Sequence, residues 1–293
     1  MVTILGRGVW GHALASLLSE NKKEYVFWDR KSPIDPKSMV IIAVPTQAIR
    51  EVLSRNKKEL ESATIINTAK GIEKGTNKLP FEVALEVLGK NIKYSAMFGP
   101  SFASEVEQKM PTLVNLACLE DSSTICPMVK GYFQTDYFRV RLTSTVSAIE
   151  LAGALKNIYA IASGISEGVG FAANTRAQII ALAYEETISL CKALKYEVAE
   201  NGVEGIMGDL VLSCGSSESR NFRFGKLVAR LKVGDALGQV SSTVEGYNNC
   251  FSIPYFQKKT GLKLPLANFV FETISDDRPS QVEKNFREFI RKS

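Results

Sequence analysis

The sequence predicts an α/β protein whose first half is a doubly wound, mainly parallel sheet and whose second half is all α. Apolar strands alternate with helical stretches up to about Thr143, as in parallel sheets that are covered on both faces. A glycine cluster follows the first strand directly. Beyond Thr143, long stretches with helical spacing replace the β-branched clusters. Because 293 residues suffice for two cores, we expect one domain at residues 1–143 and a second at 144–293.

Each predicted strand is a short run rich in apolar and β-branched residues. In order, these runs are Val2–Leu5, Tyr25–Trp28, Met39–Val44, Thr64–Asn67, Ile92–Phe98 and Pro111–Cys118. Helices are expected at His12–Glu20 and Gln47–Leu53. The connection Lys31–Ser38 is too short for a crossover helix, so we expect a loop there.

The second half is predicted to consist of helices of different lengths. The clearest stretches are Ala148–Ser163, Thr175–Lys192, Arg223–Lys232 and Glu283–Arg291. Ser147 and Glu150 have the spacing of a capping box, which makes Ser147 the expected N-cap of the first of these helices.

Composition excludes several functional classes. The net charge of +5 comes from 36 basic and 31 acidic residues that are spread along the chain, so no nucleic-acid partner is predicted. The longest apolar runs are far short of a bilayer span and the N-terminus lacks a signal-peptide pattern, so we expect no integral membrane protein. His12 is the only histidine, which excludes mechanisms that need two, and no metal site is predicted.

Cysteine usage favours a reducing compartment. The five cysteines are an odd number without a Cys-x-x-Cys pair, so neither a disulfide framework nor a zinc site is indicated. The cytoplasm is the simplest location for such a chain, and we expect a cytoplasmic protein.

Gly6, Gly8 and Gly11 form a G-x-G-x-x-G pattern between the strand Val2–Leu5 and the helix that follows it. Gly6 permits the tight turn, Gly8 lets a pyrophosphate approach the backbone, and Gly11 allows close packing of helix on strand. The helix N-terminus then offers unpaired N–H groups to the anion. In this context the pattern predicts dinucleotide binding rather than a purely structural turn.

The end of the second strand gives conflicting signals about the dinucleotide. Asp29 lies near the position where an acidic residue binds the ribose hydroxyls of NAD, whereas Arg30 could pair with the 2′-phosphate of NADP. Either residue could also be a solvated charge at a strand end. The choice between NAD and NADP is therefore open.

Polar residues follow two further strands, at the edge where the ligand crevice of this fold class lies. Lys70 comes directly after Thr64–Asn67 and could hold an anion or be a solvated loop residue. Gly99 and Ser101 follow Ile92–Phe98. Gly99 permits close approach of a ligand, and Ser101 could contact that ligand or simply cap the next helix.

Lys156 is the one charged residue in the apolar helical stretch Leu151–Ala162. A helix that is apolar all round is normally buried. Burial of an ammonium group is costly and lowers its pKa towards the range useful for general acid–base catalysis. The alternative is that the side chain reaches the surface along its own methylene groups. We favour a catalytic lysine.

Further polar groups in the second half are candidates to act with this lysine. Asp209 lies beside a glycine and could orient the buried ammonium. Ser219, Arg220 and Asn221 offer guanidinium, amide and hydroxyl groups suited to a phosphate monoester, although a basic start of a surface helix would look the same. Glu245 is a weaker candidate, since a single glutamate usually lies at the surface.

These residues occur in segments that resemble the bacterial-type NAD(P)-dependent glycerol-3-phosphate dehydrogenases over nearly the whole chain. The matching segments are GRGVWGHALA (6–15), VPTQAIREVL (44–53), TAKGIE (68–73), GPSFASEV (99–106), ELAGALKNIYAIASGISEGVGFAANTRA (150–177), GDLVLSC (208–214), SRNFRFG (219–225) and VEGY (244–247). The resemblance implies a Rossmann domain followed by a helical domain, usually in a homodimer. It also implies reversible reduction of dihydroxyacetone phosphate to sn-glycerol 3-phosphate, which feeds glycerophospholipid synthesis.

The resemblance also implies roles for single residues. Lys156 matches the catalytic lysine that exchanges the proton, Lys70 matches a lysine that contacts both substrate and cofactor, and Asp209 matches the acid of the GDLV turn. The matching substrate contacts are Gly99, Ser101, Ser219, Arg220 and Asn221. The matching dinucleotide contacts are Val9, Trp10, Arg30, Ala103, Arg220 and Glu245.

One segment departs from the family pattern. Family members usually carry a longer insert where this chain has only Lys31–Ser38, close to the expected position of the adenine, which affects cofactor preference and affinity but not the lysine. The alternative function is a related two-domain dehydrogenase of another small phosphorylated or carboxylated hydroxy compound, because the cluster at 219–221 indicates phosphate without fixing the carbon skeleton. A dinucleotide-binding protein without catalysis is disfavoured by the intact Lys156, Lys70 and Asp209.

Overall fold

The structure is a computed structural model that describes residues 1–29, 34–35, 39–119, 122–240 and 242–292, without the side chains of Ser122 and Ser123. The first half of the described chain forms one seven-stranded sheet. Its strands are β1 (Val2–Leu5), β2 (Tyr25–Phe27), β3 (Met39–Ile42), β4 (Thr64–Asn67), β5 (Lys93–Phe98), β6 (Thr112–Cys118) and β7 (Phe138–Thr143). This confirms the predicted α/β class.

The order of strands across the sheet is β2-β1-β3-β4-β5-β6-β7. Neighbours from β2 to β5 pair in parallel, β6 pairs antiparallel with β5, and β7 pairs in parallel with β6. Because β1 has β2 on one side and β3 on the other, the order of strands reverses direction beside β1. In open α/β sheets, ligands bind at such a switch point, outside the carboxyl ends of the strands.

Helices and short helical turns connect these strands. They are α1 (Val9–Glu20), a 3₁₀ turn (Thr46–Ala48), α2 (Ile49–Arg55), α3 (Lys57–Leu60), α4 (Pro80–Leu88), α5 (Ala103–Glu107) and α6 (Ser122–Phe133). Of the two roles considered for Ser101, the capping role is wrong, because Phe102 is the N-cap of α5 and the hydroxyl of Ser101 donates instead to the carbonyl of Gly99 (3.1 Å).

After β7, the described residues form helices and turns only. These are α7 (Val146–Gly168), α8 (Ala173–Ala193), a 3₁₀ turn (Glu200–Gly202), a π-helical turn (Glu204–Gly208), α9 (Asp209–Gly215), α10 (Arg220–Val228), α11 (Val233–Val240), α12 (Glu245–Cys250), α13 (Ile253–Thr260), α14 (Pro265–Asp276) and α15 (Pro279–Lys292). Among the described helices, none has both the length and the hydrophobicity to cross a membrane. The domain limits 1–143 and 144–293 stay a prediction.

Helix α7 is the central element of the second half, with almost every residue buried. Small and aliphatic residues all round the helix allow α8, α9, α10, α12 and α14 to pack against it. Its N-cap is Thr145, whose hydroxyl accepts the N–H of Ala148, so the predicted capping box at Ser147 is wrong. Glu150 does not take part in a capping box, because its carboxylate is buried against the sheet and accepts a hydrogen bond from Asn67.

The structure joins Cys118 and Cys126 in a disulfide, which the cysteine pattern did not indicate. The two residues lie at the end of β6 and within α6, and their Cα atoms are 6.1 Å apart, within the normal range for a bridge. An eight-residue separation in sequence gives no sign that the helix returns over the strand. Cys191, Cys214 and Cys250 are buried free thiols.

Candidate active site

Two lysine side chains share one buried carboxylate where the sheet meets the helical half. Lys156, in the middle of α7, donates from Nζ to Oδ1 of Asp209 at 2.6 Å and to Oγ of Ser213 at 2.7 Å. Lys70 follows β4 and donates from Nζ to Oδ2 of the same aspartate at 2.5 Å. One carboxylate therefore faces two ammonium groups, which leaves a net positive charge when all three are ionised.

The expected burial of Lys156 is what the structure shows, with a side chain only 11% exposed. Burial lowers the pKa of Lys156 from 10.5 to about 8; Asp209 opposes this shift and the positive charge of Lys70 adds to it. A lysine with such a pKa is partly neutral near physiological pH, so the same amine can donate or accept a proton.

The turn after β5 lies directly beside Lys70. The carbonyl of Gly99 accepts a second hydrogen bond from Lys70 Nζ (3.3 Å), as well as the bond from the hydroxyl of Ser101. A Cβ on Gly99 would lie 2.8 Å from Cα of Val114, so only glycine allows this turn to pack on β6. The structure thus brings Lys70, Gly99, Ser101 and Asp209 together.

A chain of amides links the Lys70 loop to the helices of the second half. Nδ2 of Asn157 donates to the carbonyl of Lys70 (2.8 Å), and Oδ1 of Asn157 accepts from Nδ2 of Asn221 (2.8 Å). Oδ1 of Asn221 in turn accepts the N–H of Gly246 at the start of α12 (2.9 Å). Asn157 and Asn221 are both buried, so each amide is fixed in one orientation by its partners.

The predicted phosphate cluster lies at the start of α10. Ser219 is the N-cap of this helix and accepts the N–H of Phe222 (3.3 Å), so its side chain has a structural partner. Arg220 is exposed, and its positive charge opposes the rise in the pKa of Glu245. The cluster is thus the basic start of a helix, as the structural alternative expected. It also lies close to Glu245 on α12.

The glycine loop lies at the carboxyl end of β1, at the switch point of the sheet. A Cβ on Gly6 (φ +123°) would overlap the backbone of Ala43, and one on Gly11 would overlap the carbonyl of Gly6. A Cβ on Gly8 meets no described atom within 4 Å, and no described side chain caps the helix that begins there. The first and third glycines thus serve packing, whereas the second leaves room in front of free N–H groups, which fits a pyrophosphate.

Val9, Trp10 and Ala103, three of the residues expected to contact the dinucleotide, lie near the glycine loop. Val9 is 68% exposed at the first position of α1. Trp10 and Ala103 are half-buried and pack against the same apolar cluster under the sheet. Asp29 is exposed after β2, and Arg30 lies outside the described residues, so the choice between NAD and NADP is not decided by their geometry.

Glu245 is half-buried, contrary to the usual surface position of a single glutamate. Its Oε1 accepts the N–H of Thr46, just after β3 (3.1 Å), and burial raises its pKa. Oε2 of Glu245 and Oγ1 of Thr46 are buried without a hydrogen-bond partner among the described residues, and a Cβ on Gly71 would overlap both. The hydroxyl and amide groups of a dinucleotide are suitable partners for two such oxygens, so the residues present fit this cofactor.

Ser213 and Asn249, like Asn157, belong to the site but were not among the residues predicted from the sequence. Ser213 binds Lys156 and lies four residues after Asp209, a spacing that places both on one face of a helix. Asn249 is fully buried, accepts the N–H of Ile72 (3.0 Å) and donates to the carbonyl of Ala154 (3.0 Å). The sequence offered one sign of this role, because Asn249 lies four residues after Glu245 and therefore on the same face of its helix. The two bonds of Asn249 fix the segment after Lys70 to α7.

The fold and the site together define an NAD(P)-dependent dehydrogenase, with a glycine loop at the switch point of the sheet and two lysines, one buried and one half-buried, on one carboxylate. Family models agree: the one described as "NAD-dependent glycerol-3-phosphate dehydrogenase N-terminus" matches residues 1–35 and 29–124, and the one for the C-terminus matches 145–283. The chain belongs to the NAD-dependent glycerol-3-phosphate dehydrogenase family.

Individual relatives are similar over almost the full length. Glycerol-3-phosphate dehydrogenase (NAD(P)+) of Pelodictyon phaeoclathratiforme is 31% identical, covering 95% of this chain and 94% of its own. The enzyme of the same name from Nitrosococcus oceani is 32% identical, covering 92% of this chain and 88% of its own. The crystal structure of glycerol-3-phosphate dehydrogenase from Coxiella burnetii has a TM-score of 0.87 at 27% identity and covers 98% of both chains.

Proposed function

We propose that this protein reduces dihydroxyacetone phosphate to sn-glycerol 3-phosphate, reversibly, with NADH or NADPH. The observation that supports this most directly is the buried Lys156, which has a lowered pKa and shares the carboxylate of Asp209 with Lys70. The product would feed glycerophospholipid synthesis.

The dinucleotide would be held along the carboxyl edge of the sheet. Gly6, Gly8 and Gly11 form the turn in front of the pyrophosphate, and the open space at Gly8 supports this role. The further residues proposed to contact the dinucleotide are Val9, Trp10, Arg30, Lys70, Ala103, Arg220 and Glu245. When bound, the nicotinamide supplies the hydride that reaches C2 of the substrate.

Lys156 would then serve as the general acid and base. When the ketone accepts hydride, negative charge develops on its oxygen, and the ammonium of Lys156 donates a proton to that oxygen. In the reverse direction, the neutral amine accepts the proton of the C2 hydroxyl. Asp209 holds the amine in place, and Lys70 adds positive charge that stabilises the developing alkoxide.

The phosphate of the substrate would lie towards the start of α10. Ser219, Arg220 and Asn221 offer a hydroxyl, a guanidinium and an amide there, and a guanidinium fork matches two phosphate oxygens. Gly99 and Ser101 would contact the substrate from the turn after β5, beside Lys70.

The organisation of the whole chain is also proposed. Residues 1–143 would bind the dinucleotide and residues 144–293 the substrate, and two copies would form a homodimer. A cytoplasmic location suits an enzyme of small phosphorylated metabolites. Alkylation of free thiols in intact cells, before lysis and without added reductant, tests this location, because a reducing cytoplasm would open the Cys118–Cys126 bridge. Light scattering of the purified protein tests the dimer.

A paired assay with NADH and NADPH tests the proposed reaction. Oxidation of the reduced dinucleotide on addition of dihydroxyacetone phosphate is the expected result, and the ratio of the two rates decides the conflict between Asp29 and Arg30. Turnover of a keto acid or of another phosphorylated ketone, with none of dihydroxyacetone phosphate, would instead favour the alternative dehydrogenase.

A further inference from the structure

Glu150, on α7 and six residues before Lys156, carries a second buried carboxylate besides that of Asp209. The carboxyl group of Glu150 accepts three hydrogen bonds: from Oη of Tyr94 (2.5 Å), from Nδ2 of Asn67 (2.7 Å) and from the N–H of Phe81 (2.9 Å). Its residue exposure is 1%. All three donors belong to the sheet half of the chain, on β5, β4 and α4. Glu150 therefore connects the lysine-bearing helix to the sheet.

The bond to Asn67 leads directly to Lys70. Oδ1 of Asn67 accepts the N–H of Ala69 (2.9 Å), and Nδ2 also donates to the carbonyl of Ala69 (3.1 Å). The side chain of Asn67 thus closes a tight turn at the end of β4, and Lys70 is the next residue. A carboxylate that fixes this amide fixes the start of the lysine loop.

The face of α7 that meets the sheet has a regular pattern. Glu150, Gly153 and Asn157 are spaced three and four residues apart, so they lie on one face of the helix. Gly153 leaves room for the ring of Phe98, because a Cβ there would lie 2.5 Å from that ring. Nδ2 of Asn157 donates to the carbonyl of Lys70, so α7 holds the lysine loop at Asn67 and again at Lys70 itself.

From this geometry we infer that Glu150 is a positioning residue, which holds Lys70 beside Asp209 and Lys156 through its bond to Asn67. The inference rests on the proposed function, in which Lys70 contacts the substrate. The bond from Asn67 in the sheet half to Glu150 in the helical half keeps the ammonium groups of Lys70 and Lys156 at the carboxylate of Asp209. Small displacements of reacting groups reduce turnover strongly.

The chain offers a matched control in Glu186, on α8. Its carboxylate is also buried (7% exposed) and also accepts one tyrosine hydroxyl, from Tyr159 (3.1 Å), and two N–H groups, from Leu266 (2.6 Å) and Ala267 (3.1 Å). Burial raises the pKa of both Glu150 and Glu186 to about 7. The difference is that every partner of Glu186 lies in the helical half, away from the lysine loop.

The experiment compares Glu150→Ala, Asn67→Ala and Glu186→Ala in full-length protein, by thermal unfolding and by the kinetics of both reaction directions. Alanine is used because Asn67 and Tyr94 donate to the same oxygen of Glu150, which a glutamine amide oxygen would replace. We expect Glu150→Ala and Glu186→Ala to lower the unfolding midpoint to a similar extent. Only Glu150→Ala and Asn67→Ala should lower kcat, by about tenfold or more, with Glu186→Ala within about twofold of the wild type.

The pH profile separates positioning from a structural role. Asp209, Lys70 and Cys214 are the titratable groups that act on the pKa of Lys156, and Lys70 lowers it. If Lys70 moves away in Glu150→Ala, the pH midpoint for oxidation of glycerol 3-phosphate shifts upwards. A loss of folded protein alone would leave that midpoint unchanged, and equal kcat values and midpoints in all three variants would overturn the inference.

Two further outcomes are informative. If Glu150→Ala does not fold, Asn67→Ala removes the bond between Glu150 and Asn67 from the other side and leaves Tyr94 and Phe81 bound to Glu150. If the wild type does not reduce dihydroxyacetone phosphate, the proposed function fails, and a crystal structure of Asn67→Ala tests the positioning role instead. An unchanged 2.5 Å contact between Lys70 and Asp209 would overturn the inference, whereas a displaced Lys70 supports it.

Discussion

Lys156 and Asp209 form a buried ion pair, 2.6 Å from Nζ to Oδ1, and Lys70 occupies the other oxygen of the same carboxylate. A single carboxylate that balances two ammonium groups gives the site one excess positive charge. In the proposed reaction this charge would attract an anionic substrate and stabilise an alkoxide. Burial lowers the pKa of Lys156, and the charge of Lys70 adds to that shift while Asp209 opposes it.

The two reaction directions should have opposite pH dependence. Because burial lowers the pKa of Lys156 to about 8, the neutral amine predominates above that pH and the ammonium below it. Oxidation of glycerol 3-phosphate needs the amine, so its kcat/KM should rise through pH about 8. Reduction of the ketone needs the ammonium, so its kcat/KM should fall over the same range. Profiles that are flat from about pH 7 to 9 in both directions would contradict this role for the lysine.

Arg220→Ala should weaken binding of the phosphorylated substrate. Loss of a charged hydrogen bond costs about 1.5–3 kcal/mol, which raises KM by about tenfold to a hundredfold. Arg223 is also exposed and lies three residues further along α10, so Arg223→Ala is the matched control and should leave KM close to the wild-type value. If the two variants change KM equally, the effect is one of overall charge and Arg220 does not hold the phosphate.

Gly8→Ala should separate dinucleotide binding from folding. A methyl group at Gly8 meets no described atom within 4 Å, and its φ of −76° suits any residue, so the thermal unfolding midpoint should change little. The same methyl group would occupy the space in front of the helix N-terminus, and the dissociation constant of NAD(P)H should rise by about tenfold or more.

The control is Gly234→Ala, on the exposed side of α11, where a Cβ also meets no described atom within 4 Å. Fluorescence titration with the reduced dinucleotide measures both variants. Equal affinity of Gly8→Ala and Gly234→Ala would show that the pyrophosphate does not approach the glycine loop.

The spacing of apolar residues along the sequence correctly predicted the elements whose formation depends mainly on neighbouring residues. The apolar run at 64–67 forms β4 with the predicted limits, and the apolar helix around Lys156 is buried as expected. β7 was not assigned, because Arg139 and Arg141 alternate with apolar residues at the edge of the sheet and weaken the apolar signal.

Contacts between distant segments could not be predicted in this way. Glu150 fits the local pattern of a capping box, but burial against Asn67 and Tyr94 determines its actual role. Asn249 and Ser213 act through partners far away in sequence, and only the packing of α9 and α12 on α7 brings them to the site. The role of such polar residues depends on partners that tertiary structure brings close. The spacing of residues in one sequence does not reveal those partners.

The most direct test of the central claim is the turnover of Lys156→Met, measured with dihydroxyacetone phosphate and the reduced dinucleotide, beside Lys192→Met on the exposed end of α8. We predict that Lys156→Met loses about 10²–10⁴-fold in kcat while its affinity for the dinucleotide is retained, and that Lys192→Met resembles the wild type. Turnover of Lys156→Met within a few fold of the wild type would contradict the assignment of the proton to this amine.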